Sequence, residues 1–144
     1  MPIIALAADH AGYALKETLK TWLVENHKEF SILDLGTDSE ERVDYPDFGY
    51  KAANAILQGN AEIGLIVCGS GIGISIAANR HPGIRAALCW NPEVATLARQ
   101  HNDANILALG ARLIDEQTAK DCLEAFLATP FDGGRHTDRV KKLG

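Results

Sequence analysis

AEIGLIVCGSGIGISIAAN, residues 61–79, changes from a strand pattern to a helix pattern within a few residues. Its apolar run Ile63–Val67 is typical of a buried parallel strand, and helical spacing begins at Ile72. Between them lies the turn Gly69–Gly73, which has few side-chain atoms. The first N–H groups of a helix have no acceptor inside it, and the helix dipole adds positive potential there. The stretch therefore predicts a strand, a tight turn and a helix around a hollow that suits an anion.

Four interpretations of this glycine turn compete. A Walker loop requires Gly-Lys-Ser/Thr, and residues 69–75 contain no lysine. A dinucleotide fingerprint has the spacing GxGxxG, whereas this turn is GxGxG and follows a mid-chain strand. A hole for a transient anion such as an enediolate needs converging N–H groups and a nearby base, which Cys68 could be. A turn whose glycines serve close packing alone remains the simplest alternative.

Length and composition limit the class of protein. The 144 residues predict a single domain, 1–144, with 47% hydrophobic and 23% charged residues, as in ordinary globular proteins. A net charge of −5 argues against a nucleic-acid-binding surface. Every apolar run is too short to cross a bilayer, and residues 1–10 lack the basic start of a signal peptide. Three widely spaced cysteines indicate free thiols in a reducing compartment, so we expect a cytoplasmic protein without membrane or nucleic-acid partners.

Apolar strands alternate with helical patterns along the whole chain. The predicted strands are Pro2–Ala8, Phe30–Leu35, Ile63–Val67, Ile84–Cys89 and Ala104–Leu109. The predicted helices are Tyr13–His27, Pro46–Leu57, Ile72–Arg80, Pro92–Gln100, Asp115–Leu127 and Arg135–Leu143. This alternation predicts a three-layer α/β/α fold, Rossmann-like, with a doubly wound five-stranded parallel sheet of order 2-1-3-4-5 and a C-terminal helix. The switch point then lies between the first and third strands, where Asp9-His10 and the glycine turn would face one crevice.

Cys68 and Asp9-His10 are the candidate chemical groups at this crevice. Buried cysteines are usually inert, which fits Cys122 and in good part Cys89. Cys68 differs because a helix N-terminus, which favours a thiolate, follows it directly. It could act as a base, or as a nucleophile paired with His101. Asp9-His10 could instead be a plain helix cap, but its place at the switch point favours a ligand site.

Further polar candidates lie in the second half of the chain. His101, within the run Arg99–Asp103, suits general acid–base work near neutral pH, although a solvated helix end would also hold a histidine. Arg135 and Arg139 are four residues apart on one helix face, and with Arg112 they could clamp a phosphate or simply form a basic surface. A C-terminal helix that reached a neighbour's crevice would make the protein an obligate oligomer.

Several segments together resemble ribose-5-phosphate isomerase type B, a family that includes the galactose-6-phosphate isomerase subunits. The segments are AADHAG at 7–12, DYP at 44–46, CGSGIGISIAANR at 68–80, RQHNDAN at 99–105, GAR at 110–112 and GGRHTDRV at 133–140. Their order and mutual spacing cover essentially the whole chain. The resemblance implies interconversion of ribose 5-phosphate and ribulose 5-phosphate in the non-oxidative pentose phosphate pathway, without metal or cofactor.

The resemblance also implies a role for each matching residue. Cys68 would move a proton between carbons 1 and 2 of the sugar, and His101, aided by Asp9, would open the furanose ring. The hydroxyl of Ser70 and the main-chain amides of the turn would hold the enediolate oxygen; these are the amides of Gly69, Gly71, Ile72, Gly73, Ile74 and Ser75. Tyr45 and Asn102 would contact the sugar, and the phosphate would be held by His10, Arg112, Arg135 and Arg139, some of them across a homodimer interface. A tetramer is a further option.

Two details of the resemblance separate branches of the family. One branch uses a glutamate on the helix after the turn as its base, and here that position is Ser75, so the chain resembles the cysteine branch. Many members have threonine where this chain has Ser70, which keeps the hydroxyl.

Two other functions remain open at this point. One is isomerisation of a six-carbon sugar phosphate, such as allose or galactose 6-phosphate. The other is a non-catalytic sensor of phosphosugars, which would bind its ligand without exchanging the proton on carbon 2.

Overall fold

Five strands and six helices alternate along the chain in a computed structural model that describes residues 1–144. The strands are β1 (Ile3–Ala8), β2 (Ser31–Asp34), β3 (Ile63–Cys68), β4 (Ala86–Leu88) and β5 (Ile106–Gly110). The helices are α1 (Tyr13–Asn26), α2 (Tyr45–Leu57), α3 (Ile72–Asn79), α4 (Pro92–Asn102), α5 (Glu116–Ala128) and α6 (Arg135–Leu143). The predicted elements are all present, although β4 is half its predicted length.

The sheet has one apolar layer of helices on each face, because successive strand residues point to opposite sides. In β3, Leu65 and Val67 belong to a cluster with residues of α1, α4 and α5. Ile66 and Cys68 point the other way, into a cluster with residues of α2 and α3. The predicted three-layer α/β/α fold with an all-parallel sheet is therefore confirmed.

The predicted strand order is wrong at one edge. The sheet runs β2-β1-β3-β5-β4, so β5 and not β4 pairs with β3, in a register from Gly64 opposite Ile106 to Cys68 opposite Gly110. All five residues of β5 are buried, whereas the three residues of β4 are only half-buried. A continuously apolar strand suits the middle of a parallel sheet and a short one suits the edge, which explains the exchange.

Two helix starts confirm capping predictions from the sequence. The Asn91 side chain accepts a hydrogen bond from the N–H of Val94 at 2.9 Å, and Pro92 follows it as the first residue of α4. The Asp115 carboxylate likewise accepts from the N–H of Thr118 at 2.7 Å. No helix combines the length and the apolar character needed to cross a membrane.

Candidate active site

Cys68 is the last residue of β3, and its side chain faces the glycine turn. Its Sγ accepts a hydrogen bond from the N–H of Gly71 at 3.1 Å, and the Oγ of Ser70 accepts one from the N–H of Ile72 at 3.1 Å. The N–H groups of Gly73 and Ile74, in the first turn of α3, have no acceptor within the protein. A sulfur atom and free main-chain donors thus lie side by side, as the sequence predicts.

Gly71 is required by the geometry of this turn. Its φ of +77° lies in the left-handed region, which side chains disfavour. A Cβ at this position would also lie 2.5 Å from Cδ1 of Leu88 and 2.8 Å from the carbonyl carbon of Leu109. The turn is pressed against β5 at a second point, because a Cβ at Gly110 would lie 2.4 Å from the carbonyl oxygen of Ser70. The hollow is therefore held by backbone contacts as well as by its own hydrogen bonds.

Asp9 and His10 lie next to this turn, because β1 pairs with β3. The N–H of Asp9 donates to the carbonyl oxygen of Val67 at 3.2 Å, and the buried Asp9 carboxylate accepts from the N–H of Gly12 at 3.0 Å. Nδ1 of His10 accepts from the N–H of Val43 at 3.2 Å. That bond leaves Nε2 of neutral His10 as the nitrogen that carries a proton, so this nitrogen can donate to a ligand.

Two further predicted residues lie over the turn. The ring of Tyr45 covers Gly73, where an added Cβ would lie 2.5 Å from its Cε1 atom. The guanidinium of Arg112 covers Gly69, with Nη1 3.1 Å from the position of an added Cβ, and the Arg112 N–H donates to the carbonyl oxygen of Gly69 at 2.9 Å. One chain therefore brings an acid, an imidazole, a phenol and a guanidinium to the carboxyl edge of the sheet beside Cys68.

His101 and Asn102 lie at the opposite, amino edge of the sheet, where the parallel strands begin. They are the last two residues of α4, and the carbonyl oxygen of Asn102 accepts from Nε of Arg85, just before β4, at 3.0 Å. Ile106 and Gly110, the first and last residues of β5, are about 13 Å apart at 3.3 Å per residue, and Gly110 is opposite Cys68. The predicted pairing of Cys68 with His101 is therefore wrong within one chain.

Helix α6 lies at the same edge as His101. The imidazoles of His101 and His136 stack with their centres 4.4 Å apart and their planes 15° from parallel. Burial lowers the pKa of His136 from 6.5, and the neighbouring His101, Arg135 and Arg139 lower it further. Arg135 and Arg139 are both on α6, as predicted, but they are far from Cys68 of their own chain.

Asp132 is a polar neighbour of His101 that the sequence does not single out. Its N–H donates to the carbonyl oxygen of Gln100 at 3.1 Å, which ties the segment before α6 to the end of α4. Nothing in the local pattern PFDGG distinguishes this aspartate from a solvated loop residue.

The other two cysteines are inert core residues. Burial raises the pKa of the Cys89 thiol to about 12 and that of the Cys122 thiol to about 11. Both thiols lie within the apolar cluster on the α4 and α5 face of the sheet. Of the three cysteines, Cys68 is therefore the one that contacts the candidate site.

Comparisons with known proteins agree over the whole chain. The model of a family described as Ribose/Galactose Isomerase matches residues 4–143. Ribose-5-phosphate isomerase B of Escherichia coli is 44% identical, with 99% of this chain and 95% of that protein covered. A putative sugar phosphate isomerase of Rickettsia bellii is 48% identical, with 97% and 96% covered. The solved structure of a ribose 5-phosphate isomerase from Thermotoga maritima is similar at a TM-score of 0.95 and 51% identity, with 99% and 97% covered.

Proposed function

The chain belongs to the Ribose/Galactose Isomerase family, and from that premise we propose that it interconverts ribose 5-phosphate and ribulose 5-phosphate through an enediolate. One observation supports this proposal above others: the Cys68 thiol contacts the Gly71 amide and lies beside the free amides of Gly73 and Ile74. A base next to preorganised donors is the arrangement that proton transfer beside a carbonyl requires.

In the proposed reaction, the Cys68 thiolate removes the proton from carbon 2 of the open-chain aldose and then, as the thiol, returns a proton to carbon 1. The proton of the hydroxyl on carbon 2 moves to the oxygen on carbon 1. The negative charge that develops on the oxygen is stabilised by the amides of the turn and by the Ser70 hydroxyl. One preorganised donor of this kind contributes about 3 kcal/mol to transition-state stabilisation, so two or more free amides lower the barrier substantially.

The phosphate and the sugar hydroxyls are held at some distance from the reacting carbons. We propose that Nε2 of His10 and the guanidinium of Arg112 bind the phosphate, while Asp9 and Tyr45 contact the sugar. Arginine suits this task because its planar fork of donors matches phosphate oxygens. Binding at a distance orients carbon 2 against the thiol, and orientation contributes several kcal/mol in favourable cases.

A complete site requires a second copy of the chain, because four of the predicted residues lie at the amino edge of their own sheet, away from Cys68. They are His101, Asn102, Arg135 and Arg139. We propose a two-fold homodimer in which these residues of one chain face Cys68 of the other. Because the dimer has two-fold symmetry, one interface completes two sites. In this arrangement His101 transfers the proton that opens the furanose ring of a substrate bound to the partner.

An open apolar edge supports this assembly. A groove of about 550 Å³ lies along the edge strand β4, and its lining includes Leu88, Leu97 and Leu143 of α6. Ile72 and Ile76, four residues apart on the nearby α3, are each at least half exposed. Edge strands and apolar helix faces are usually covered, and here a second copy would cover them while bringing the two half-sites together.

Incubation of the protein with ribose 5-phosphate in deuterium oxide tests the activity. We expect formation of the ketose together with deuterium incorporation into the sugar. Cys68→Ala is expected to abolish both while it retains binding of the phosphosugar, and Cys89→Ala is the matched control with a core thiol removed. Near-normal turnover by Cys68→Ala would show that another group is the base.

The family description also mentions galactose, so the six-carbon alternative is tested in the same assay. We expect a higher kcat/KM for ribose 5-phosphate than for allose 6-phosphate or galactose 6-phosphate. The reverse order would assign the chain to six-carbon substrates without changing the proposed chemistry.

A further inference from the structure

Three side chains that can bind a metal ion converge at the end of the molecule opposite Cys68. They are His101 at the end of α4, Asp132 in the segment before α6, and His136 at the start of α6. One ligand atom from each lies within 4.8 Å of the others. Asp132 and His136 are close in the sequence, but His101 is at the end of a different helix, so the fold brings it to them.

The backbones that carry these side chains are fixed. The Asp132 N–H bonds to Gln100, the neighbour of His101, at 3.1 Å, and the His136 N–H bonds to the carbonyl oxygen of Gly133 at 3.1 Å. His136 is only 7% exposed, whereas the Asp132 side chain is exposed. The cluster therefore combines one confined imidazole, one half-buried imidazole and one carboxylate that is free to change its rotamer.

We propose that His101, His136 and Asp132 bind one divalent transition-metal ion of the Zn²⁺ class. Two imidazole nitrogens and a carboxylate oxygen are a donor set that zinc favours, at bond lengths of about 2.0–2.2 Å. Ligands at those lengths around a tetrahedral ion lie about 3.3 Å apart. The ligand atoms lie within 4.8 Å of one another, so binding requires Asp132 to turn inward and the two rings to tilt out of their stack. A fourth position stays open for water.

The charges around the cluster set the strength of this site. Asp132 supplies its single negative charge, while Arg135 and Arg139 on α6 contribute positive potential. The ion is therefore bound more weakly than in a structural zinc site and is removed by a chelator. A bound ion occupies a ring nitrogen of His101, which then cannot transfer a proton to the sugar. This last consequence, inhibition of the isomerase by the metal, rests on the proposed function; the binding itself does not.

A Co²⁺ titration of the intact protein tests the binding, with visible absorption as the readout because cobalt coordinated by histidine absorbs there. The Cys68→Ala background removes the one thiol at the candidate site. We expect one ion per chain, with affinity reduced about tenfold or more by His136→Gln and by Asp132→Asn. His81→Gln, which removes a histidine on the α3 side of the molecule, is the control and should leave the titration unchanged. Equal affinity in all four proteins, or no absorption change in any, would overturn the proposal.

Zn²⁺ added to the active protein tests the consequence. We expect inhibition that EDTA reverses, and Asp132→Asn should keep its basal activity while requiring about tenfold more Zn²⁺ for the same inhibition. Because Asp132 is exposed, this variant is expected to fold normally. Equal sensitivity of Asp132→Asn and the parent protein would overturn the link between this cluster and inhibition. Cobalt binding by the Cys68→Ala protein, together with a parent protein that shows no isomerase activity, would support the metal site and reject the proposed function.

Discussion

Gly71 fixes the relation between the Cys68 thiol and the amides around it. Its positive φ turns the chain, and its lack of a side chain lets the turn touch Leu88 and the backbone of β5. The same residue donates its N–H to Sγ of Cys68. Backbone shape, packing and the proposed catalytic contact therefore depend on one position.

Gly71→Ala is expected to destabilise the protein by about 3 kcal/mol or more and to reduce kcat at least about 100-fold. Left-handed strain alone costs about 1–2 kcal/mol, and the clash with β5 backbone adds to it because that backbone cannot yield easily. The loss of kcat follows from displacement of the oxyanion donors. Urea denaturation and steady-state kinetics measure the two effects.

Gly59→Ala is the matched control for this prediction. Gly59 has a φ of +78°, nearly the same as Gly71, but an added Cβ would meet nothing within 4 Å. We expect a loss of about 1 kcal/mol and an unchanged kcat. If the two variants behaved alike, backbone strain and not the contact with β5 would explain the role of Gly71.

Between elements, a buried ion pair joins helix α1 to strand β2. Nζ of Lys16 is 2.8 Å from Oδ1 of Asp34, and its side chain is 1% exposed. Burial would raise the pKa of Asp34, but hydrogen bonds from Lys16 and Lys20 outweigh it and hold the pKa at about 2. A depressed pKa means that this contribution to stability is complete above pH 3.8 and is lost as the pH falls toward about 2.

Asp34→Asn is expected to cost about 3 kcal/mol of unfolding free energy at neutral pH, because it leaves Lys16 with only the half-exposed Glu17 as partner. Lys16→Met combined with Asp34→Asn should recover most of that loss, since an apolar side chain then replaces the unpaired charge. Lys20→Met is the control, because its partly exposed ion pair with Asp34 contributes about 1 kcal/mol or less. A double variant as unstable as Asp34→Asn would show that the lost charge pair, and not an unpaired lysine, causes the effect.

A second charged contact ties the end of α1 to α5. Nδ1 of His27 is 2.8 Å from Glu29, and Nε2 is 2.6 Å from Glu124. Burial lowers the pKa of His27, but the two carboxylates raise it more, and the net value lies above 6.5. A raised pKa means that the contribution to stability is complete below pH 6.5 and is lost as the pH rises through the folded-state pKa.

Comparison of the parent protein with His27→Gln across this pH range tests the contact. We expect the parent to be more stable at about pH 6, by about 1 kcal/mol or less because the carboxylates are exposed, and the difference to shrink by about pH 9. Urea denaturation at each pH measures it. A difference that stays constant with pH would assign the role of His27 to its packing against Trp22, whose ring centre is 5.0 Å away.

The sequence predicts the helices and strands themselves better than it predicts which strands pair in the sheet. Asn91 and Asp115 cap helices at the expected positions because capping is a local interaction. The exchange of β4 and β5 does not follow from local patterns, because it depends on how two strands compete for one position beside β3. The fully apolar run of β5 and the polar Arg85 before β4 are the signals that favour the observed order.

For the whole molecule, the sequence predicts that the C-terminal helix reaches a neighbouring chain, but it places His101 in the same crevice as Cys68. A residue directly after a parallel strand lies at the carboxyl edge of the sheet, as Asp9 and Gly69 do. His101 comes shortly before β5 and therefore lies at the amino edge. The pairing of Cys68 with His101 rests on the chemistry of the two side chains, and this topological rule excludes it within one chain.

A mixing experiment tests the proposed division of the site between two chains. Cys68→Ala and His101→Ala should each be inactive alone, because every site in either homodimer lacks one group. After subunits are exchanged in an equal mixture, about half of the dimers contain one chain of each kind, and each of these has one intact site. We therefore expect recovery of about a quarter of the parental activity. A mixture that stays inactive after complete exchange would contradict sharing of the site.

The distance between Cys68 and His101 along β5 has a consequence for how the protein responds to its own abundance. If neither chain turns over sugar alone, the rate per chain falls on dilution as partners separate. A phosphosugar that touches both chains acts as a molecular bridge, and by linkage it favours the associated form. The total rate of sugar conversion would then rise more steeply than the concentration of the protein. A low concentration of substrate would favour dissociation of the dimer that converts it.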